Sequence, residues 1–341
     1  MINFNTCPVV VWGYKNVYHT HGHIHEGFYR ILRWMGREAY WLDELDDVSG
    51  MDFSRTVFIT NHDRVDPNGY WPWPYQKRST IPIRDDCFYA VHGLHDCPPA
   101  KEVLGNRQSL GWNVYHNFSH IYGIAAEFHP IGTPSEIQLT DRVMLDRDVP
   151  FYPREHRLDF RWATDLTPDE CRENKKRACL LNEGSSTINW VGTIWHVNQQ
   201  ELADFARACS QSGITFQQLG AGQNGVLTLS QKADKVRESY FAPAISGTHH
   251  LTEGYAPPRI FENISYGRMG ITNSEKVQAV FDGRLIFDPD PYQLFFTARE
   301  QLKAMRIEQL HELMDYVADH HTYVNRLSCV LQAARIIVEK G

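Results

Sequence analysis

Short apolar runs alternate with helical segments in both halves of the chain, and this alternation limits the folds that the chain can adopt. In the first half, apolar runs typical of buried strands lie at 8–12, 38–42, 56–60, 87–92 and 112–116. In the second half, such runs lie at 188–192, 215–219, 240–245 and 269–272. Helical spacing occurs between them, for example at 26–35 and 199–212. Alternating strands and helices predict an α/β fold with parallel sheets.

Residues 146–170 mark the predicted boundary between two domains. They contain Pro150, Pro153 and Pro168, many charged residues and no sustained period, which is typical of a connecting segment. A chain of 341 residues also suits two domains rather than one. We therefore expect one Rossmann-like domain over 1–160 and a second Rossmann-like domain over 161–341.

The composition argues against several classes of protein. The net charge of −7 disfavours a general nucleic-acid-binding protein, because such proteins need basic faces. The seven cysteines form no Cys-x-x-Cys pair and the N-terminus lacks a signal-peptide pattern, which favours a reduced, cytoplasmic protein. No run of about eighteen apolar residues occurs, so we expect no transmembrane segment, while peripheral contact with a membrane stays open.

The segment 253–274 carries the clearest functional signal in the sequence. A loop rich in Gly and Pro leads into a short helix near 259–266, and Gly267 is suited to end that helix. A helix N-terminus presents free N–H groups and the positive end of the helix dipole, which favour a phosphate group. Glu262 lies inside the helix, where its carboxylate can accept hydrogen bonds from ribose hydroxyls.

This segment, Glu253–Ser274, resembles the donor-binding element of GT-B glycosyltransferases, especially the spore-maturation-type branch of the retaining family-4-like group. The similarity rests on a Glu, a Gly-aromatic loop, an Arg-hydrophobic-Phe-Glu run and a Ser-x-Gly turn. In this chain they are Glu253, Gly254-Tyr255, Arg259-Ile260-Phe261-Glu262 and Ser265-Tyr266-Gly267. The interval between the two Glu residues is one residue longer than in the usual motif.

The resemblance implies two Rossmann-like domains facing a central cleft, with the last helix, at about 323–339, crossing back to the N-terminal domain. It places the acceptor on the N-terminal domain and a nucleotide-diphosphate sugar on the C-terminal domain. Glu262 would bind the ribose, whereas Glu253, Gly254 and Tyr255 would face the donor sugar. Transfer without a metal or other cofactor, and with retention at the anomeric carbon, also follows from the resemblance.

Further donor contacts are predicted on neighbouring elements of the second half. The strand at 188–192 runs into Gly192-Thr193, whose backbone N–H groups can point at a phosphate. Arg259 either neutralises phosphate or pairs with a carboxylate. Asn273 follows a strand and either lines the donor pocket or caps the next helix. The Arg-Lys pair usual in the family-4-like group has no match here, and Lys232 and Lys235 are the nearest candidates.

The segment His19–His25, which is predicted as a loop after the first strand, carries four histidines at alternate positions. One interpretation makes His21 and His23 catalytic, as a base or as hydrogen-bond partners of the acceptor or the donor phosphate. Others are a structural polar loop or a metal site, since His-x-His is a known ligand spacing. The acceptor side would further include Gly22, Glu26, His62 and His116. His62 follows a predicted strand and His116 ends one.

Together these features predict a glycosyltransferase that moves a sugar from a nucleotide-diphosphate sugar to a saccharide or another hydroxyl acceptor. No Gly-x-Gly-x-x-Gly or Walker motif indicates a dehydrogenase or a kinase. Three alternatives remain: a sugar-nucleotide epimerase on the same fold, a metal-dependent hydrolase that uses the histidines of 19–25, and a non-catalytic carbohydrate-binding protein. Nucleic acid is not an expected partner.

Overall fold

The fold is known from a computed structural model, which describes residues 2–16, 20–69, 81–114, 129–130, 150–194, 198–220 and 227–340. These residues form two compact units. The first unit contains the described residues up to 160 together with 323–340, and the second contains those from 161 to 322. No helix in the described ranges is both long and apolar enough to cross a membrane.

The first unit is built on one sheet, which has eight strands in the described part of the chain. In chain order the strands are β1 (Val9–Trp12), β2 (Ala39–Leu42), β3 (Val57–Asn61), β4 (Phe88–His92), β5 (Ser109–Asn113), β6 (His129–Pro130), β7 (Pro150–Tyr152) and β8 (Arg157–Asp159). Their order across the sheet is β2-β1-β3-β4-β5-β8-β7-β6. The first six strands in this order are parallel, whereas β7 and β6 run antiparallel to their neighbours.

Burial explains why the parallel strands have continuous apolar sequences. Every residue of β1 and of β3 is buried, which is the pattern of strands covered on both faces. The helices of this unit are α1 (Thr20–Trp34), α2 (Pro98–Leu104) and, at the end of the chain, α11 (Tyr323–Lys340). Helix α11 packs against α1, β4 and β5, so the last helix belongs to the first unit as the resemblance implies.

In its described residues the second unit has two pairs of parallel strands. They are β9 (Thr187–Val191) with β10 (Thr215–Leu219), and β11 (Ile271–Thr272) with β12 (Ile286–Phe287). The helices are α3 (Pro168–Glu173), α4 (Gln199–Gln211), α5 (Leu229–Glu238), α6 (Thr248–Glu253), α7 (Pro258–Ser265), α8 (Glu275–Val280), α9 (Pro291–Ala304) and α10 (Ile307–His320). The main apolar cluster, which includes Ile188, Phe205 and Phe261, joins most of these elements, and a smaller cluster packs α5 against Tyr266.

Three segments differ from the interpretation of the sequence. Part of the predicted connection at 146–170 forms β7 and β8, where the Arg157–Asp159 ion pair is buried. The predicted strand at 240–245 makes only an isolated bridge, between Ala244 and Thr272. Between two backbone hydrogen bonds, made by the N–H groups of Tyr240 and Ala244, the side chain of Asn263 donates to the carbonyl groups of Ala242 and Pro243. Finally, the apolar spacing of residues 302–318 predicts one amphipathic helix, but these residues are divided between α9 and α10.

Arg268 links three segments of the second unit through hydrogen bonds. Its side chain is 1 % exposed and donates to the carbonyl groups of Cys179 (3.0 Å), Tyr240 (2.7 Å) and Ser239. Arg268→Met is expected to lower the free energy of unfolding by about 2–4 kcal/mol, because buried carbonyl groups lose their donors. Urea denaturation measures this change. The exposed Arg207 on α4 provides the control, and equal stability of Arg268→Met and Arg207→Met would contradict the prediction.

Candidate active site

Strand β9 and helix α7 meet at a glycine and an arginine. Arg259, at the start of α7, donates from Nε (3.2 Å) and Nη2 (2.9 Å) to the carbonyl of Val191, the last residue of β9. Its guanidinium also stacks 3.7 Å from the ring centroid of Trp190. Gly192 has φ +140°, and a Cβ at this position would lie 2.2 Å from Nη2 of Arg259. A glycine is therefore required for the arginine to reach the end of the strand.

The side chain of Arg259 is partly buried but stays positively charged. Burial lowers the pKa of Arg259 to about 10, while the carboxylate of Glu262 acts in the opposite direction. The guanidinium is therefore cationic at neutral pH. It belongs to the first turn of α7, where the helix dipole is also positive. This corner of the second unit thus favours an anionic group.

Glu262 lies one turn further along α7 in a cluster of charged side chains. Lys232 of α5 contacts Oε1 of Glu262 at 2.6 Å and Oδ2 of Asp165 at 3.2 Å. The hydroxyl of Tyr266 is 2.9 Å from both oxygens of Asp165. Burial lowers the pKa of Lys232, but the two carboxylates outweigh burial and raise it overall. Burial raises the pKa of Glu262, and the ammonium of Lys232 offsets part of that rise.

The segment from Glu253 to Tyr255 leads from α6 towards α7. Gly254 ends α6 with φ +69°, and a Cβ there would lie 2.8 Å from the side chain of Lys276. Tyr255 packs its ring 4.5 Å from that of His250 and accepts a hydrogen bond from Nε1 of Trp162 (2.8 Å). Within the described residues, Oε2 of Glu253 is buried and accepts no hydrogen bond. Glu253 therefore keeps an oxygen for a ligand.

Thr193 and Asn273, which are also predicted to bind the sugar donor, lie in different surroundings. Thr193 directly follows Gly192 and is partly buried. Asn273 lies between β11 and α8 and is buried. Its carboxamide accepts from the N–H of Ser246 (2.8 Å) and donates to the carbonyl of the same residue (2.9 Å). Asn273 thus holds the loop that precedes α6, and Ser274 rather than Asn273 caps α8.

The first unit gathers polar side chains where β1, β3 and β4 end. The ring centroid of His21 lies 5.2 Å from that of Tyr14, 5.4 Å from that of His92 and 6.2 Å from that of His25. Nδ2 of Asn61 approaches Nε2 of His21 at 3.2 Å. The strands that carry these residues are parallel, and ligands of open α/β sheets bind beyond such carboxyl ends.

Helix α1 begins at Thr20, so His21, His23 and His25 lie on a helix and not on the predicted loop. His21 and His25 are one turn apart and share a face. His25 is buried, with Nδ1 3.0 Å from the carbonyl of Gly13, which is a structural contact. Gly22 and Glu26 are on the same helix, Gly22 buried and Glu26 partly buried.

His92 and His62 complete this edge of the sheet. The ring of His92 stacks 4.3 Å from that of Trp112, and burial together with His62 and His25 lowers its pKa to about 3. His92 is therefore neutral at ordinary pH. His62 follows β3 in a short 3-10 turn, with Nδ1 3.3 Å from the carbonyl of His92. The predicted residues His19 and His116 lie outside the described residues.

Some residues of both clusters had no role in the interpretation of the sequence. Tyr14 donates a hydrogen bond to Asp63, and neither residue was predicted to belong to a site. No motif in the sequence indicates Asp165, because it lies 67 residues before its partner Lys232. In the described ranges, no group of three or more His, Cys, Asp and Glu side chains is arranged to hold a metal ion.

By sequence alone, no protein-family model and no curated protein matches this chain. Solved structures do match it. An alpha-glucosyltransferase in complex with UDP and a 13-mer DNA containing an HMU base has a TM-score of 0.59 and 9% identity, over 97% of this chain and 100% of its own. The alpha-glucosyltransferase AGT in complex with UDP has the same TM-score and identity, over 98% of this chain and 100% of its own.

An alpha,alpha-trehalose-phosphate synthase (UDP-forming) from Burkholderia vietnamiensis also matches, with a TM-score of 0.48 and 11% identity over 98% of this chain and 99% of its own. At such low identities, similarity of structure establishes a shared fold and not a shared activity. The two alpha-glucosyltransferase structures cover nearly the whole chain, including both units. The chain therefore has the α/β GT-B fold of glycosyltransferases.

Proposed function

We propose that the protein is a glycosyltransferase that uses a nucleotide-diphosphate sugar as donor. The observation that carries the proposal is the arrangement of Arg259 and Glu262 on the first turns of α7, beside the end of β9. It combines a cation, a positive helix end and a buried carboxylate, which are the groups that a diphosphate and a ribose need. The structural neighbours were solved with UDP, so UDP is the first nucleotide to test.

In this proposal each group of the second unit has one task. The guanidinium and the backbone N–H of Arg259, at the positive end of the α7 dipole, stabilise the negative charge that develops on the leaving diphosphate. Glu262 accepts hydrogen bonds from the ribose hydroxyls, and Glu253 contacts the donor sugar together with Gly254 and Tyr255. Gly192 and Thr193 supply backbone contacts to the diphosphate. No step of the transfer needs a metal ion in this account.

The acceptor belongs to the first unit in this proposal. The bond between the anomeric carbon and the diphosphate oxygen breaks, and a bond from the acceptor oxygen to that carbon forms. His21 accepts the proton that the acceptor hydroxyl loses, and His23, Glu26 and His62 contribute to the same side. Retention at the anomeric carbon is proposed from the resemblance. A saccharide or another small hydroxyl compound suits the net charge of −7 better than nucleic acid does.

A thermal-shift screen tests the donor site. UDP, GDP, CDP, dTDP and ADP are each added to the protein with and without EDTA. Binding at about 100 times Kd stabilises the folded state by about 2.7 kcal/mol, which raises the melting temperature by several degrees. We expect one diphosphate to do so in the presence of EDTA, and we expect Glu262→Ala to lose most of the shift.

The matched control is Glu238→Ala, which removes an exposed glutamate at the end of α5. It is expected to keep the full shift. If none of the five diphosphates stabilises the wild-type protein, the proposed function is wrong. Stabilisation that disappears only with EDTA would contradict the metal-independent part of the proposal.

A further inference from the structure

We infer that Lys232 and Asp165 are positioning residues that fix the carboxylate of Glu262 for the ribose hydroxyls of the donor. The inference rests on the proposed function, and it assigns a role to a lysine and an aspartate outside the motif 253–274. Lys232 bridges the two carboxylates at 2.6 Å and 3.2 Å. Tyr266 holds Asp165 from the other side, at 2.9 Å to each carboxylate oxygen.

Lys232, Asp165 and Tyr266 are buried, so the presence of charged side chains among them needs a physical reason. Lys232 is 8 % exposed, Asp165 2 % and Tyr266 0 %. A buried ion pair contributes little net stability, because the cost of removing both charges from water offsets their attraction. Two carboxylates that share one ammonium are less favourable still. A gain in stability therefore does not explain why Lys232, Asp165 and Glu262 lie together here. The need to fix the position of the Glu262 carboxylate does explain it.

The two oxygens of Glu262 are used differently. Lys232 contacts Oε1, whereas Oε2 accepts no hydrogen bond from the described residues. The side chain of Glu262 is 13% exposed, so a ligand can approach it. The lysine thus fixes the orientation of the carboxylate through one oxygen and leaves the other for a hydroxyl group. Such preorganisation strengthens binding, because less side-chain freedom is lost when the ligand arrives.

Asp165 and Tyr266 in turn fix Lys232. A lysine side chain is long and flexible, so a single contact with Glu262 would leave both partners mobile. The second contact, with Asp165, gives the ammonium a defined place. Asp165 is itself oriented by the hydroxyl of Tyr266, which donates to its carboxylate. The chain of contacts therefore runs from Tyr266 through Asp165 and Lys232 to Glu262.

Lys232 could instead contact the diphosphate directly, and the two roles predict different losses. A lysine that positions Glu262 affects only the recognition of ribose hydroxyls. A lysine that contacts phosphate affects every nucleoside diphosphate equally. Comparing UDP with 2′,3′-dideoxy-UDP, which lacks both ribose hydroxyls, separates the two roles.

Isothermal titration calorimetry with these two ligands tests the inference. The wild-type protein is expected to bind UDP about 10- to 100-fold more tightly than 2′,3′-dideoxy-UDP, because hydrogen bonds to a charged group are strong. In Lys232→Met, we expect affinity for UDP to fall about tenfold and affinity for 2′,3′-dideoxy-UDP to stay unchanged. Lys232→Arg, which keeps the charge, is expected to recover part of the preference for UDP.

Two further variants separate positioning from stability. Lys176→Met is the control, because Lys176 is exposed and makes a 2.5 Å ion pair with the exposed Glu173, away from the cluster of Glu262. It is expected to keep the wild-type preference for UDP. The double variant Lys232→Met with Asp165→Asn removes one of the two carboxylates that lose the ammonium. It is expected to regain part of the melting temperature that Lys232→Met loses, but not the preference for UDP.

Three results would overturn the inference. One is an equal loss of affinity for both ligands in Lys232→Met, which would place the lysine on the diphosphate. A second is a wild-type protein that binds both ligands equally. A third is a Lys232→Met protein that keeps the wild-type preference. All three leave intact the proposal that the protein uses a nucleotide-diphosphate sugar. A wild-type protein that binds neither UDP nor any other diphosphate of the screen would overturn the proposed function as well.

Discussion

Replacing Arg259 with methionine is expected to lower the rate of sugar transfer by about two to three orders of magnitude. The guanidinium lies at the first turn of α7, where the leaving diphosphate is proposed to gain negative charge. Methionine fills much of the same space but supplies neither the charge nor the hydrogen-bond donors. The rate is measured as release of the nucleoside diphosphate from the donor that the thermal-shift screen identifies.

Arg284→Met is a closely matched control for this experiment. The guanidinium of Arg284 also stacks 3.7 Å from an aromatic ring, that of Tyr316, and its Nε also donates to a backbone carbonyl, that of Phe281 (2.9 Å). Arg284→Met is expected to keep the wild-type rate. If both variants keep that rate, Arg259 does not stabilise the diphosphate. Melting temperatures of both variants show whether lost activity reflects lost folding.

Replacing His21 with glutamine is expected to lower the transfer rate about 100-fold, while affinity for the nucleoside diphosphate stays unchanged. His21 is the partly buried member of a group of rings at the carboxyl ends of β1 and β4, where it lies beside Tyr14 and His92. Glutamine keeps a hydrogen-bonding group but cannot take up a proton. The comparison of transfer rate with nucleotide affinity separates an acceptor role from a donor role.

The control for His21 is His320→Gln, which changes a partly buried histidine at the end of α10. It is expected to alter neither rate nor affinity. A His21→Gln protein with the wild-type transfer rate would remove His21 from the proposed mechanism. A loss of nucleotide affinity in the same variant would place His21 on the donor instead of the acceptor.

Much of the fold is predictable because buried parallel strands need continuous apolar sequences. Strands β1, β3 and β4 are of this kind, and their predicted positions agree with the structure to within a residue or two. Prediction was wrong where the side chain of Asn263 replaces some of the regular hydrogen bonds of a strand, as at 240–245. It was also wrong at the start of α1, because four alternating histidines conceal the helical period.

The part of the candidate site that could be predicted consists of residues that are close together in the sequence. The motif from Glu253 to Glu262 occupies α6, α7 and the loop between them, so its residues are close together along the chain. The contact of Glu262 with Lys232 joins residues 30 positions apart, and Asp165 lies further away still. Only folding brings these side chains together, and no motif in the sequence records their approach.

A crystal structure of the protein with the nucleoside diphosphate that stabilises it most tests the central claim directly. We expect both ribose hydroxyls to lie within hydrogen-bond distance, about 3 Å, of Glu262. We expect the diphosphate to contact the guanidinium of Arg259 at the first turn of α7. A nucleotide bound elsewhere, with no contact to either side chain, would contradict the assignment of the donor site to β9 and α7.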